Sequence, residues 1–110
     1  MTDETCRALL STLTDEAHIE ELILSYNGLG VEAARAVAAY IRVSGSLTSL
    51  SLGMNRIGAE GAKAIADALR VNGSLTKLDV CYNAFDDETE TMLRDATKDK
   101  SGFELLMEDV

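Results

Sequence analysis

Residue types able to do acid–base, nucleophilic or ligating chemistry are few in this chain and badly placed for it. His18 is the single histidine, and it precedes the first predicted strand with no Ser, Cys or metal set brought to it by spacing. Cys6 and Cys81 lack metal-ligand spacing. Cys6 falls on an apolar helix face and reads as core, whereas Cys81 falls on a strand. Glu20 and Glu21 are neighbouring carboxylates, but nothing apolar stands where it would raise a pKa. The run Asp86, Asp87, Glu88 and Glu90 lacks the D-x-D-x-D-G spacing of a calcium loop and reads as the solvated start of a helix. Gly58 and Gly61 have no Lys-Ser/Thr after them, so they form no phosphate loop. The sequence therefore predicts no catalytic residue, no cofactor and no metal site.

What the sequence does carry is a period. Leu47, Leu50 and Leu52, then Asn55, Ile57 and Gly58, lead into Ala62, Ile65, Ala66 and Leu69. The same template lies 28 residues earlier at Ile19, Leu22, Leu24, Asn27, Leu29 and Gly30, followed by Ala34, Val37, Ala38 and Ile41. It recurs in part at Leu75, Leu78, Val80, Asn83 and Phe85, and one more step lands on Phe103 and Leu106. Alternation around Leu50, Ser51 and Leu52 predicts a short strand. Asn27, Asn55 and Asn83 stand where the chain turns, and each offers a donor and an acceptor to backbone that has left the ladder. Beyond them the apolar spacing becomes three and four, which predicts a helix with one buried face. That face is mostly alanine, so the helix can lie close to the strands. Gly45 and Gly73 stand where the helices should stop, at a position that tolerates a left-handed backbone.

Neither strand nor helix can bury its apolar face alone, and stacked copies make one continuous core. Strands joined by a helix in the same sense are parallel, with right-handed crossovers. A helix is about 10 Å wide and strands sit about 4.8 Å apart, so the helices are driven to the outside of a curve. The expected fold is α/β, a right-handed curved solenoid with a parallel sheet of about four strands on the concave face and helices on the convex face. Residues 1–110 form a single domain: a half-repeat helix over 1–18, repeats over 19–46, 47–74 and 75–102, and a terminal strand over 103–110. Either the two ends are natural caps or the chain is a slice of a longer solenoid.

The pattern LxxLxLxxNxIGxxGAxxIAxxLxxNGS from Leu47 resembles the leucine-rich repeat family, in its ribonuclease-inhibitor-like subtype. The resemblance implies a non-catalytic recognition module in the cytoplasm, as in the sensor portions of nucleotide-binding immune receptors. Ran GTPase-activating proteins look like the same subtype, which sets a second reading beside the first: a regulator of an enzyme, with Arg56 on a loop able to reach a phosphate. A third reading is a designed or excised fragment whose only role is to fold.

The composition, 46% hydrophobic and 26% charged, is that of an ordinary globular domain. No apolar run is long enough for a transmembrane helix and no basic-then-apolar leader is present, so the expectation is a cytoplasmic chain. A net charge of −9 and a pI near 4.4 argue against nucleic acid and anionic membrane as partners and favour basic or mixed protein surfaces.

The third, fifth and seventh positions of each repeat should point outward from the concave sheet. They are Glu21, Ile23 and Ser25; Ser49, Ser51 and Gly53; Lys77, Asp79 and Cys81; Leu105, Met107 and Asp109. At the eighth position Tyr26, Met54 and Tyr82 form a row along the rim, with Arg56 beside them. That row is either local packing of the loops or a partner-binding surface. The candidate contacts are Tyr26, Met54, Tyr82, Ile23, Arg56, Lys77, Asp79 and Cys81. The two edge strands offer unpaired backbone for self-association, guarded by Glu20 and Glu21 at one end and Glu108 and Asp109 at the other.

Overall fold

A computed structural model describes residues 1–13 and 18–108. Its elements alternate strictly: α1 (Asp3–Thr12), β1 (Glu21–Ile23), α2 (Val31–Val43), β2 (Ser49–Ser51), α3 (Gly58–Val71), β3 (Lys77–Asp79), α4 (Asp87–Thr97) and β4 (Glu104–Leu106). The strands form one parallel sheet in sequence order, β1-β2-β3-β4. This is the expected solenoid, with the sheet on the inner face and the helices on the outer.

The core fills the layer between them. Leu50 and Leu78 point down from the middle strands, and Val37, Ile41, Ile65, Leu69 and Leu93 point up from the helices, all at most 1% exposed. Between them lie Ala33, Ala34, Ala38, Ala62, Ala66 and Ala68, whose small side chains let the helix layer approach the strands.

The asparagines hold the turns together across repeats. Asn55 Nδ2 donates to Leu24 O at 3.0 Å and Leu52 O at 2.9 Å, while its Oδ1 accepts from Asn27 N at 3.1 Å and Leu29 N at 2.9 Å. Asn83 repeats this one step on, donating to Leu52 O and Val80 O and accepting from Ile57 N. A buried amide that satisfies backbone groups of two successive turns fixes their spacing. At the strand entrances, hydroxyls do the same work. Ser46 and Ser74 donate to Ile19 O and Leu47 O at the preceding strand's entrance, and Thr48 and Thr76 to Glu20 O and Thr48 O.

Helix ends depart from expectation. Gly45 and Gly73 are not in the left-handed region; the positive-φ glycines are Gly28, Gly58 and Gly102. The helices stop instead at Ser44 and Asn72, both in extended conformation. Ser44 Oγ accepts from Leu47 N at 3.0 Å, and Asn72 Oδ1 accepts from Ser74 N and Leu75 N at 2.9 and 2.8 Å. Asn72 Nδ2 then reaches back to Ile41 O at 2.7 Å. With a side chain receiving the amides of the exit, no left-handed turn is needed.

The last strand is also corrected. Lys77, Leu78 and Asp79 pair with Glu104, Leu105 and Leu106, one residue earlier than the 28-residue step requires. Relative to its asparagine, α4 stops early: Thr97 follows Asn83 by 14 positions, whereas Val43 and Val71 follow Asn27 and Asn55 by 16. The Thr97 hydroxyl bonds Leu93 O and Arg94 O, engaging carbonyls of the last turn. A turn through Gly102, at φ 74°, returns only one of the two lost residues. A slip of one flips every side chain of a strand to the other face. Leu105 and Met107, expected to face outward, therefore pack against the core together with Phe103. Glu104, Leu106 and Glu108 take the concave face instead. Asp109 lies outside the described residues.

Candidate functional site: the concave sheet and its rim

The middle of the concave face is flat and small, as Ser49, Ser51 and Gly53 dictate. Ser25 Oγ and Ser51 Oγ hydrogen-bond across the strands at 2.7 Å. Gly53 is buried, because Asp79 lies over it: a Cβ added there would sit 3.4 Å from Asp79 Oδ1 and from Cys81 O. Asp79 Oδ1 also accepts from Cys81 N at 3.0 Å. Burial, followed by the hydrogen bond to the Asp79 carboxylate, pushes the Cys81 thiol up, so it stays protonated at neutral pH. Cys6 is raised as well, by burial and then by the nearby Asp3 charge. Asp79 and Cys81 are thus tied into the sheet surface, while Lys77 and Ile23 stand free of it, Ile23 with 64% of its surface exposed.

At the rim the structure brings Tyr26, Met54 and Tyr82 into one row, exposed by 76%, 41% and 45%. All three have left-handed backbones, with φ of 64°, 59° and 59°. The conformation is imposed by the repeat: Tyr26 N donates to Gly53 O at 3.1 Å, Met54 N to Cys81 O at 2.8 Å and Tyr82 N to Glu108 O at 2.9 Å. Left-handed backbone costs a side-chain-bearing residue about 1–2 kcal/mol, a cost that glycine avoids. Two tyrosines and a methionine nonetheless occupy this position, Tyr26 largely in solvent and Met54 and Tyr82 about half covered. Strands lie about 4.8 Å apart, so the row steps across roughly 10 Å from Tyr26 to Tyr82. Arg56 is exposed beside it, on the loop whose backbone N donates to Leu29 O at 2.7 Å.

The corrected register changes the charge of the surface. Glu104 and Glu108 join Glu21 and Asp79, against Lys77 on the sheet and Arg56 at the rim. The signal was present in the sequence: Phe103, Leu105 and Met107 alternate with Glu104, Leu106 and Glu108, and this local period outranks the 28-residue step.

Elsewhere, a groove of about 750 Å³ runs between α1 and α2, lined by Leu10, Leu13, Ala36, Ala39, Tyr40 and Val43 among others. None of the candidate contact residues lines it. Among the described residues, no group of three His, Cys, Asp or Glu side chains is placed to hold a metal ion, and no helix is long and apolar enough to cross a membrane.

Residues 17–38 and 44–66 match the family model described as Leucine Rich repeat. No curated protein matches the chain by sequence. Among solved structures 42 chains match. One, described as "Leiomodin-1 Actin-Binding Site 2 (ABS2)", superposes with a TM-score of 0.84 at 22% identity, over 99% of this chain and 65% of that one. The present chain thus spans about 65% of that structure's length, and at this identity the likeness is one of fold.

Proposed function

We propose that this leucine-rich-repeat solenoid is a non-catalytic protein-interaction module that grips another protein with its concave sheet and the adjoining rim. Its repeats are of the ribonuclease-inhibitor-like kind, a reading supported by the full α-helix in each 28-residue step. The observation that carries the function is the row Tyr26, Met54 and Tyr82, three large side chains that stay exposed at the rim on backbone that favours glycine. Tyr and Met provide wide contact area at low ordering cost or with adaptable shape. Ile23, Arg56 and Lys77 extend the surface, and Asp79 and Cys81 shape its floor.

The partner is a protein rather than nucleic acid or an anionic membrane, since a chain of net charge −9 repels both. A basic or mixed partner surface complements Glu21, Asp79, Glu104 and Glu108. That the similar leiomodin-1 fragment is described as an actin-binding site supports a protein as the class of partner. The setting we propose is the cytoplasm, where both thiols remain reduced.

The test is affinity capture on the immobilised chain, with an actin co-sedimentation arm beside it. Proteins retained by the wild type and by a convex-face control, Arg70→Ala, should be lost with Tyr26→Ala/Tyr82→Ala. Retention of the same set by the double variant would remove the rim from the reading.

A further inference from the structure

Neighbouring helices of this solenoid do not meet alike. Between α2 and α3 the seam is closed: Gly61 lets the helices come together against Ala34, and Arg35 Nη2 donates across the surface to Glu60 Oε2 at 3.2 Å. One 28-residue step on, between α3 and α4, both parts of that closure are changed. Thr89, buried, stands where α3 has Gly61, and its side chain keeps α4 from closing in as glycine allows. Lys63 and Glu88 stand where Arg35 and Glu60 do, yet they form no ion pair with one another.

What results is a groove of about 490 Å³ between α3 and α4. Its wall is apolar where Ala59 and Met92 line it, Met92 standing where α2 and α3 carry Ala36 and Ala64. Glu60, Asp86 and Glu88 line it as well, against the single ammonium of Lys63. Glu60 already holds Arg35, and Asp86 already accepts from Thr89 N at 2.9 Å. The side chains of Glu88 and Lys63 are exposed and bond nothing among the described residues. Three carboxylates gathered on one groove repel each other and any acidic ligand, and a cation from outside relieves that repulsion.

We propose that this groove receives a lysine side chain of a partner protein, its hydrocarbon stem against Met92 and Ala59 and its ammonium among Glu60, Asp86 and Glu88. Lysine unites the two things the groove complements, an apolar stem that covers hydrocarbon and a compact charge at its tip. Methionine suits the wall because its flexible thioether adapts to the shape laid against it. Lys63 repels the incoming ammonium and so keeps the affinity of a single side chain low. The groove opens between helices, away from the concave sheet, and does not depend on the reading of that sheet. It adjoins the rim all the same: Tyr82 and Asp86 stand on the one loop between β3 and α4, at most about 14 Å apart along the chain. A partner wrapped over this edge reaches both.

The test is a titration of the isotope-labelled chain, followed by NMR, with N-acetyl-lysine N-methylamide as the probe. N-acetyl-norleucine N-methylamide supplies a stem without the charge, and methylammonium the charge without the stem. The lysine probe should shift the amides of Glu60, Glu88 and Thr89 and the methyl of Met92 saturably, and the two controls should not. Lys63→Gln removes the competing cation and should lower the half-saturating concentration about two- to fivefold, while Glu88→Gln should raise it by a similar factor. Both positions are exposed, and circular dichroism checks that the variants fold. Tyr26→Ala/Tyr82→Ala should leave the titration as it is, so that failure of the rim and failure of the groove are read separately. Shifts spread without saturation over every acidic face would overturn the proposal, as would equal shifts with either control. So would a titration indifferent to Lys63→Gln and Glu88→Gln, or one abolished by the double tyrosine variant.

Discussion

Gly61 of α3 lies against Ala34 of α2, so closely that a methyl group on Gly61 would come within 2.8 Å of the Ala34 Cβ and 2.6 Å of Ile57 Cγ2. The repeat allows alanine here, since the equivalent residue of α2 is Ala33. Glycine is what lets α3 close onto α2.

Gly61→Ala therefore sets two effects against each other. A helix interior gains about 1 kcal/mol on exchanging glycine for alanine. Overpacking costs about 1–3 kcal/mol, and the Ala34 Cβ is fixed to the backbone and cannot rotate away. The expected outcome is no gain from the alanine and a net destabilisation of up to about 2 kcal/mol in urea unfolding. Ala34→Gly in the same chain should recover a part of it, since the contact with Ile57 remains.

The N-terminus of α2 is capped from another helix. Its own N-cap, Gly30, has no side chain, and the Asp3 carboxylate of α1 accepts from Gly30 N at 2.9 Å and Ala33 N at 3.2 Å. An anion at this end also favours the helix dipole. Asp3→Ala should cost about 1–2 kcal/mol, the range for losing a cap. Amide exchange should quicken in the first turn of α2, beyond the helix that carries the substitution.

Asp86 caps α4 directly, and the hydroxyl and backbone N–H of Thr89 hold its carboxyl below the ordinary value of 3.8. A group whose folded pKa is depressed binds fewer protons in the folded state, so its contribution is present above the unfolded pKa. It is lost as pH falls through the folded one. Asp86→Asn should make stability fall less steeply with acidification below about pH 4, as read from thermal unfolding at stepped pH.

Much of this was legible in the sequence because it depends on period. The strands at Leu22, Leu50 and Leu78, the asparagine ladder and the alanine-lined helices follow from spacing that every interior repeat shares. The parts that were not legible depend on exchanges between repeats. Nothing in the spacing of Asp3 announces that it caps a helix 27 positions away. Asn72 and Ser44 replaced the left-handed glycine exit because their side chains could receive the amides. The rim row was visible as a spacing of Tyr26, Met54 and Tyr82, but its left-handed backbone was not.

The last strand gives the sharpest check, since two adjacent leucines should respond unequally. Leu50 supplies the scale: at 1% exposed, its replacement by Ala should cost about 2–5 kcal/mol and threaten the fold of so short an array. Leu105 stands in the same row of the sheet but is only partly buried, so Leu105→Ala should cost less than Leu50→Ala and still well over 1 kcal/mol. Leu106 faces the concave side, and Leu106→Ala should stay within about 0.5 kcal/mol of wild type in the monomer. Urea unfolding of the three variants at low protein concentration decides it. A larger loss at Leu106 than at Leu105 would restore the 28-residue register and return Glu104 and Glu108 to the helix-facing side of the sheet.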